Sequence, residues 1–448
     1  MRRYLLSAAA LVSMAGAAHA DDQSLTVAGI TIYGVVDMGI QYETHGAPLN
    51  DYFLTGTEEL IQKNAHKSLW TATPSNLGQS KIGIKGAEDL VDGLTGIFRL
   101  ETFFNPTSGN ISDALKSMTQ NNGRPLDQQT SNADSSIAGQ MFNSAAIVGL
   151  SSPRWGTGTF GRQTGLLADG VAKYDPLAAS NAFSPIGWSG AAAGSGDTQD
   201  RRFDNSLKYL DQFGPVRAGA MYKFSGYGGS AYSAYEFDLG ADYAHFSVDG
   251  FYAKIKDAIN LTSPLTAVQV AQLPALGFSS DTAVTGTVSD NETFSLMALY
   301  DAGKPKAFFG YEHIEFGNPS HPLQSGFDDI GGYTLVFPTN NAYAKHKILQ
   351  IYWLGAKYAV TPKFDVSGAW YHYDQNSYAT GANAGCTTTV AGNCAGSLNA
   401  LSLVLDYHFS KRFDSYAGAM WSQVLDGLGS GYFHNNNIAP TVGLRFTF

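Results

Sequence analysis

The chain has 448 residues and a formal net charge of −10; 15% of its residues are charged, 12% are aromatic, and two are cysteine. The acid excess disfavours a nucleic-acid partner, which needs a basic surface, and no long uncharged apolar run is present to form a helical membrane span. Its 24 Tyr and 26 Phe, with 50 Gly where the usual share is about 7%, point to strands and tight bends, hence to an all-β chain.

The first residues, Met1, Arg2 and Arg3, lead into an apolar stretch over 4–18 and the small residues Ala18 and Ala20 ahead of Asp21 and Asp22. This three-part pattern predicts a secretory signal peptide over residues 1–20, cut after Ala20, with residues 21–448 folding outside the cytoplasm. Loss of Arg2 and Arg3 takes the net charge from −10 to −12.

From there on, period-two alternation recurs. Ile30, Ile32, Val36, Met38 and Ile40 share one parity, and Thr31, Tyr33, Asp37 and Gln41 the other, which a strand places on opposite faces. A hairpin follows, with Ile82 and Ile84 alternating with Lys81 and Lys85, then Leu94, Phe98 and Leu100 alternating with Thr95, Arg99 and Glu101. Further strands are predicted over 141–150, 157–162, 203–209, 216–224, 236–243, 246–255, 293–300, 306–316, 348–358, 364–373, 398–409, 413–424 and 439–448, about sixteen in all. Short turns such as Ala302-Gly303-Lys304-Pro305 and Ser410-Lys411-Arg412 alternate with long polar stretches over 105–138, 163–200, 257–290, 317–344 and 375–397. Unequal connections joining half-apolar strands of about ten residues are the pattern of a transmembrane antiparallel β-barrel. A soluble sandwich or propeller would leave the apolar parity in water.

Near the C-terminus, Val442, Leu444, Phe446 and Phe448 fall on one face, and Thr441, Gly443, Arg445 and Thr447 on the other. This ending resembles that of the general porins of Gram-negative bacteria. Closer still is the likeness to β-proteobacterial porins of the neisserial type, carried by Thr31-Ile32-Tyr33-Gly34-Val35-Val36-Asp37, Ser80-Lys81-Ile82-Gly83-Ile84-Lys85-Gly86-Ala87-Glu88-Asp89-Leu90, Val148-Gly149-Leu150, Gly161-Arg162-Gln163, Arg202-Phe203-Asp204-Asn205-Ser206-Leu207-Lys208-Tyr209 and Leu354-Gly355-Ala356-Lys357-Tyr358. The resemblance implies a homotrimer in outer-membrane lipid and lipopolysaccharide, with Phe448 read as a signal by the barrel assembly machinery. It also implies a water-filled channel for ions and small hydrophilic solutes, with the third long loop folded inward as a constriction. Three departures, Ser144 and Lys208 where Arg is common and Ile147 where Tyr is, weaken any charge-by-charge transfer of selectivity.

With the apolar parity toward lipid, Lys81, Lys85, Arg99, Arg202, Lys208, Arg217, Lys223, Lys357 and Arg445 are expected to face the lumen with Asp37, Glu101, Asp204 and Asp242. Arg or Lys on the other face would cost about 2–4 kcal/mol at mid-membrane. The constriction loop implied by the resemblance, roughly 163–200, carries Asp169, Lys173, Asp175, Asp197 and Asp200, with Phe183, Trp188 and a Gly-Ala-Ser-rich segment over 189–196. Its carboxylates are expected to face basic wall residues across a narrow gap, and Lys81, Lys85, Arg99 and Arg202 to favour anions mildly. Arg162 shares the parity of Phe160, so only a bulge turns it inward.

Cys386 and Cys394, exported to an oxidising compartment, are predicted to close a small disulfide loop. The 10 His are scattered, no nucleophile constellation appears, and no metal-ligand or cofactor spacing is found, so neither an enzyme nor a metal or cofactor protein is expected. Against a general pore stand a ligand-specific channel, with Trp353, Trp370 and Trp421 as candidate stacking residues, and a structural or adhesive barrel.

Overall fold

Side chains that alternate between apolar and polar along sixteen strands give one sheet with two unlike faces, and that sheet closes on itself. The computed structural model describes residues 25–52, 60–121, 124–131, 137–188, 201–225, 233–260, 271–276, 283–320, 329–330, 333–340, 343–387 and 391–448. The predicted signal peptide, Asp197, Asp200 and the 189–196 segment lie outside them.

The wall begins with β1 (Ile30–Gly46) and β2, which is built of two segments, Lys67–Pro74 and Lys81–Asp89. It continues through β3 (Thr95–Phe103), β4 (Ala145–Ser152), β5 (Gly156–Thr164), β6 (Arg202–Phe213), β7 (Val216–Lys223) and β8 (Ala234–Tyr243). The second half is β9 (Phe246–Asn260), β10 (Ala283–Asp301), β11 (Pro305–Gly317), β12 (Lys347–Thr361), β13 (Phe364–Gln375), β14 (Gly396–His408), β15 (Phe413–Asp426) and β16 (Asn436–Thr447). All these neighbours pair antiparallel, and β16 returns to β1 with Val35 opposite Thr447 and Gln41 opposite Thr441. Closure removes the free edges that a sheet in lipid cannot tolerate.

The parity assignment is visible as exposure. Val148, Phe160, Leu239, Leu354 and Leu401 are half or more exposed on the outer face, whereas Asp37, Glu101 and Glu236 on the inner face are buried. Short turns gather at the rim that also holds Phe448, whose backbone exchanges two 3.0 Å hydrogen bonds with Gly34. By the general rule for such barrels that rim is periplasmic, and the long connections are extracellular.

Three features depart from the expected strands. Lys67–Pro74 extends β2 outward beyond a kink at 75–80, where the Asp37 carboxylate accepts the amides of Leu77 and Gly78 at 2.8 and 3.0 Å. β9 and β10 run on to Asn260 and from Ala283 through what reads as a loop over 257–290. In the sequence Lys254, Lys256, Asp290 and Glu292 interrupt the apolar parity there, and a bulge between Ile255 and Ala258 shifts the phase of the ladder. Among the described residues, α-helices of eight and nine residues stand in two connections, α1 (Ala114–Asn121) and α2 (Leu166–Tyr174).

Candidate constriction inside the barrel

β5 breaks its register at Gly161, and the connection that follows it turns into the lumen. The φ of Gly161 is +127, and a Cβ there would lie 2.1 Å from the Ala146 carbonyl oxygen, so only glycine fits. The register skips between Gly161 and Gln163, and α2 starts two residues past the end of β5. Leu166, Leu167, Val171 and Tyr174 are buried on it, with Asp169 in the first turn and Lys173 in the last, both favourable to the helix dipole. Gly165 offers no side-chain cap. Instead the buried Glu236 of β8 accepts the Leu166 amide, supplying from the wall the anion a helix N-terminus attracts. Lys208 of β6 pairs with Asp169 and donates to the Thr164 carbonyl at 3.0 Å.

Beyond the helix the loop stays against the wall. The Tyr174 hydroxyl donates to Asp249 of β9 at 2.5 Å, Lys173 pairs with the same carboxylate at 3.1 Å, and the Trp353 indole of β12 donates to the Tyr174 carbonyl at 3.1 Å. Asp175 accepts the Tyr371 hydroxyl of β13 at 2.6 Å and the Ala179 amide at 2.7 Å. Burial pushes its carboxyl up from the ordinary carboxylate range, against the Tyr371 hydrogen bond that holds it down. Pro176 lies over Gly355 so closely that a Cβ there would sit 2.4 Å from its Cγ. Ser402 of β14 donates to the Phe183 carbonyl at 2.7 Å, and Ala182 and Asn181 donate to Asn76 and Ser75 in the β2 kink at 2.9 and 2.8 Å. The loop is thus bound from β6 and β8 round to β15 and the β2 kink, and leaves the Lys81–Asp89 segment of β2 and the strand β3 facing it.

On that facing wall Glu101 of β3 sits beside Lys81, Lys85 and Arg99, and Arg202 of β6 reaches the neighbouring Phe103. Glu101 is buried and takes Lys81 at 3.2 Å, the Tyr33 hydroxyl at 2.8 Å and the Ser144 hydroxyl. Lys85 and Arg99 are direct cross-strand partners one step toward the short-turn rim, and Lys85 lies 5.2 Å from the Tyr33 ring centre. Arg202 stacks 4.5 Å over Phe103, the cross-strand partner of Lys81, and donates to Gln79 at 3.0 Å. Elsewhere on the inner face several charges are paired locally. Arg217 pairs with Asp242 and, at 3.0 Å, with Asp249; nearer the short-turn rim Lys357–Asp365, His408–Asp414 and Arg445–Asp414 meet at 2.7 to 2.8 Å. Asp406, His408 and Asp414 are close enough to share a cation, but Arg445 already occupies Asp414.

The predicted residues therefore separate. Lys81, Lys85, Arg99, Glu101 and Arg202 come together on the facing wall. Asp169 and Lys208 meet, but as a contact that fixes the loop and not across a gap. Asp175 is 2% exposed and turned to β13, which corrects its placement in the pore lining. Loop residues have no parity, so charge alone did not reveal their direction. Arg162 is on the bulge, yet its backbone partner is Ala146, on the outward row, and its guanidinium binds the Asn143 carbonyl and, at 2.8 Å, Asp204. Trp353 is buried beneath the loop and Trp370 is 42% exposed on the outer face. Cys386 and Cys394 are bonded, with an S–S distance of 2.01 Å. Glu236, Asp249 and Tyr371 had no functional mark in the sequence beyond their inward parity.

Over residues 7–426 the sequence matches the family of Gram-negative porins. An outer membrane porin protein of Bordetella pertussis is 26% identical over 467 residues, covering the whole of both chains. Among solved structures, the anion-selective porin from Comamonas acidovorans superposes with a TM-score of 0.59 at 17% identity, covering 94% of this chain and 99% of that one. OmpT of Vibrio cholerae gives 0.56 at 13% identity over 95% and 100%. The two superpositions establish a shared fold.

Proposed function

This chain belongs to the Gram-negative porin family, and from that premise we propose that it is a general diffusion pore for ions and small hydrophilic solutes, mildly preferring anions. The observation that carries the reading is the unequal lumen: the inward loop is bound to one side by locally neutralised contacts, while on the other Lys81, Lys85 and Arg99 gather round Glu101 and Arg202 stacks on the adjacent Phe103. A water-excluding low-dielectric wall focuses such a field on passing ions. The net charge of −10 counts the whole chain, extracellular connections included, and does not set the field at the constriction.

A sugar-type specific channel finds less support, because Trp353 is covered by Tyr174 and Trp370 faces outward. Trimeric assembly is part of the same proposal and rests on the resemblance carried by the motifs along β1, β2 and β6. The placement among β-proteobacterial porins of the neisserial type rests on the motifs around Tyr33 and Ile84, and Phe448, at the seam with Gly34, is proposed as the assembly signal. Refolded protein in a planar bilayer tests the pore itself. Conductance proportional to salt concentration and unaffected by added sugars or amino acids supports general diffusion; saturating block by one solute assigns a specific channel, and no conductance assigns a structural barrel.

A further inference from the structure

Resting on the reading of the barrel as an open pore, we propose that α1 is a strut across the extracellular mouth and sets the size limit for solutes entering from outside, apart from the inward loop.

The barrel itself does not need the chain that carries α1. Glu101 of β3 stands in register with Ala145 of β4, so a tight turn would join the two strands, yet residues 104–144 lie between them. An eight-residue helix is marginal on its own; this one is held by burial, with Ala114, Leu115 and Ser117 each 0% exposed. Ala114 packs with Ile137 on Phe103, the inward ring over which Arg202 stacks at 4.5 Å. The helix also lies against β10, which stands almost opposite β3 in the closed wall. With its start over the basic wall and a packed contact on the far wall, α1 bridges the lumen on the extracellular side of the constriction.

The bridge is tied down at its start and along its side. Asp113 caps it, its carboxylate accepting the Lys116 amide at 3.2 Å, and the Asp113 amide donates to the Tyr52 carbonyl at 2.9 Å. Behind the cap, the buried Asn143 side chain accepts the Phe103 amide at 2.7 Å and donates to the Ser112 carbonyl at 2.9 Å. Asn50, 1% exposed, donates to the Ser117 carbonyl at 3.2 Å and to the Gln120 side-chain oxygen at 2.8 Å. Buried hydrogen bonds at the cap and the middle, added to the apolar seat on Phe103, fix the helix in place. A solute wider than the gaps beside it is refused whatever its charge, before it meets Lys81, Lys85 or Arg99.

Entry from outside is read in a porin-deficient Gram-negative host that expresses the full chain and a periplasmic β-lactamase, with one compact and one bulky zwitterionic cephalosporin as probes. The parent is expected to admit the compact compound and largely refuse the bulky one. Leu115→Asp, which unseats the helix, is expected to raise bulky entry relative to compact entry about tenfold, and Asn50→Ala about threefold. Asn50→Ala leaves the barrel yield on unheated gels at the parent level, and it decides the matter alone if Leu115→Asp does not assemble. An unchanged ratio in the variants that reach the membrane would overturn the strut and leave the pore standing. Parent entry of neither compound above the host's own rate would overturn the pore reading, and the strut with it.

Discussion

The Tyr371 hydroxyl, projecting inward from β13, donates to the Asp175 carboxylate at 2.6 Å and so ties the wall to the residue at which α2 ends. Together with Glu236 at the other end of the helix, it fixes the inward loop at two points that carry opposite requirements: an amide needing an acceptor, and a carboxylate needing a donor.

Tyr371→Phe removes that donor and leaves Asp175, 2% exposed, with the Ala179 amide at 2.7 Å. A buried acceptor that loses a partner costs about 1–3 kcal/mol. The barrel strands remain paired, so the expected result is a folded protein whose open-channel current is noisier than the parent's. Single-channel recordings indistinguishable in noise would show that this contact does not hold the loop.

Lys208 and Asp169 form a pair whose side chains are 8% and 16% exposed. Removing one partner from a buried pair costs about 3–5 kcal/mol, because the other charge is stranded, whereas replacing both is far milder. Lys208→Met and Asp169→Asn are each expected to lower stability in urea by roughly that amount, and the double variant by less than the sum. Additive losses would mean the two groups act separately.

Gly355 exists to let Pro176 approach the wall. Gly355→Leu forces the loop inward from β12 and is expected to lower single-channel conductance. Gly368→Leu is the control, since Gly368 lies on the outward row of β13 and its Cβ would meet nothing closer than 3.5 Å. Equal conductance in both variants would place the narrowest point elsewhere.

Deleting Phe448 removes two backbone hydrogen bonds to Gly34, worth about 1 kcal/mol each. If the terminal Phe is an assembly signal, the heat-modifiable barrel recovered from cell membranes falls much further than the stability of the refolded protein. Parallel losses would reduce Phe448 to a seam contact.

The barrel was legible because lipid and lumen impose opposite chemistry on successive residues: Ile82 and Ile84 against Lys81 and Lys85 is enough to orient β2. Lys67–Pro74 is not legible, because Trp70, Ala72 and Pro74 on its outward parity do not read as an apolar row. The helix in the constriction carries a signal in the sequence: Leu166, Leu167, Val171 and Tyr174 form an apolar side, with Asp169 and Lys173 four apart. Asp175 shows where sequence reasoning ends. Its charge was plain, but only the fold shows that it faces Tyr371 and not the lumen, since an irregular loop has no periodicity from which direction can be inferred.

The reversal potential of the refolded protein across a KCl gradient in a planar bilayer tests the central claim most directly. The basic wall on β2 and β3 predicts a potential on the chloride side, moving toward potassium when Lys81 and Arg99 are both changed to Gln. A potassium-selective parent whose potential does not move in the double variant would contradict it.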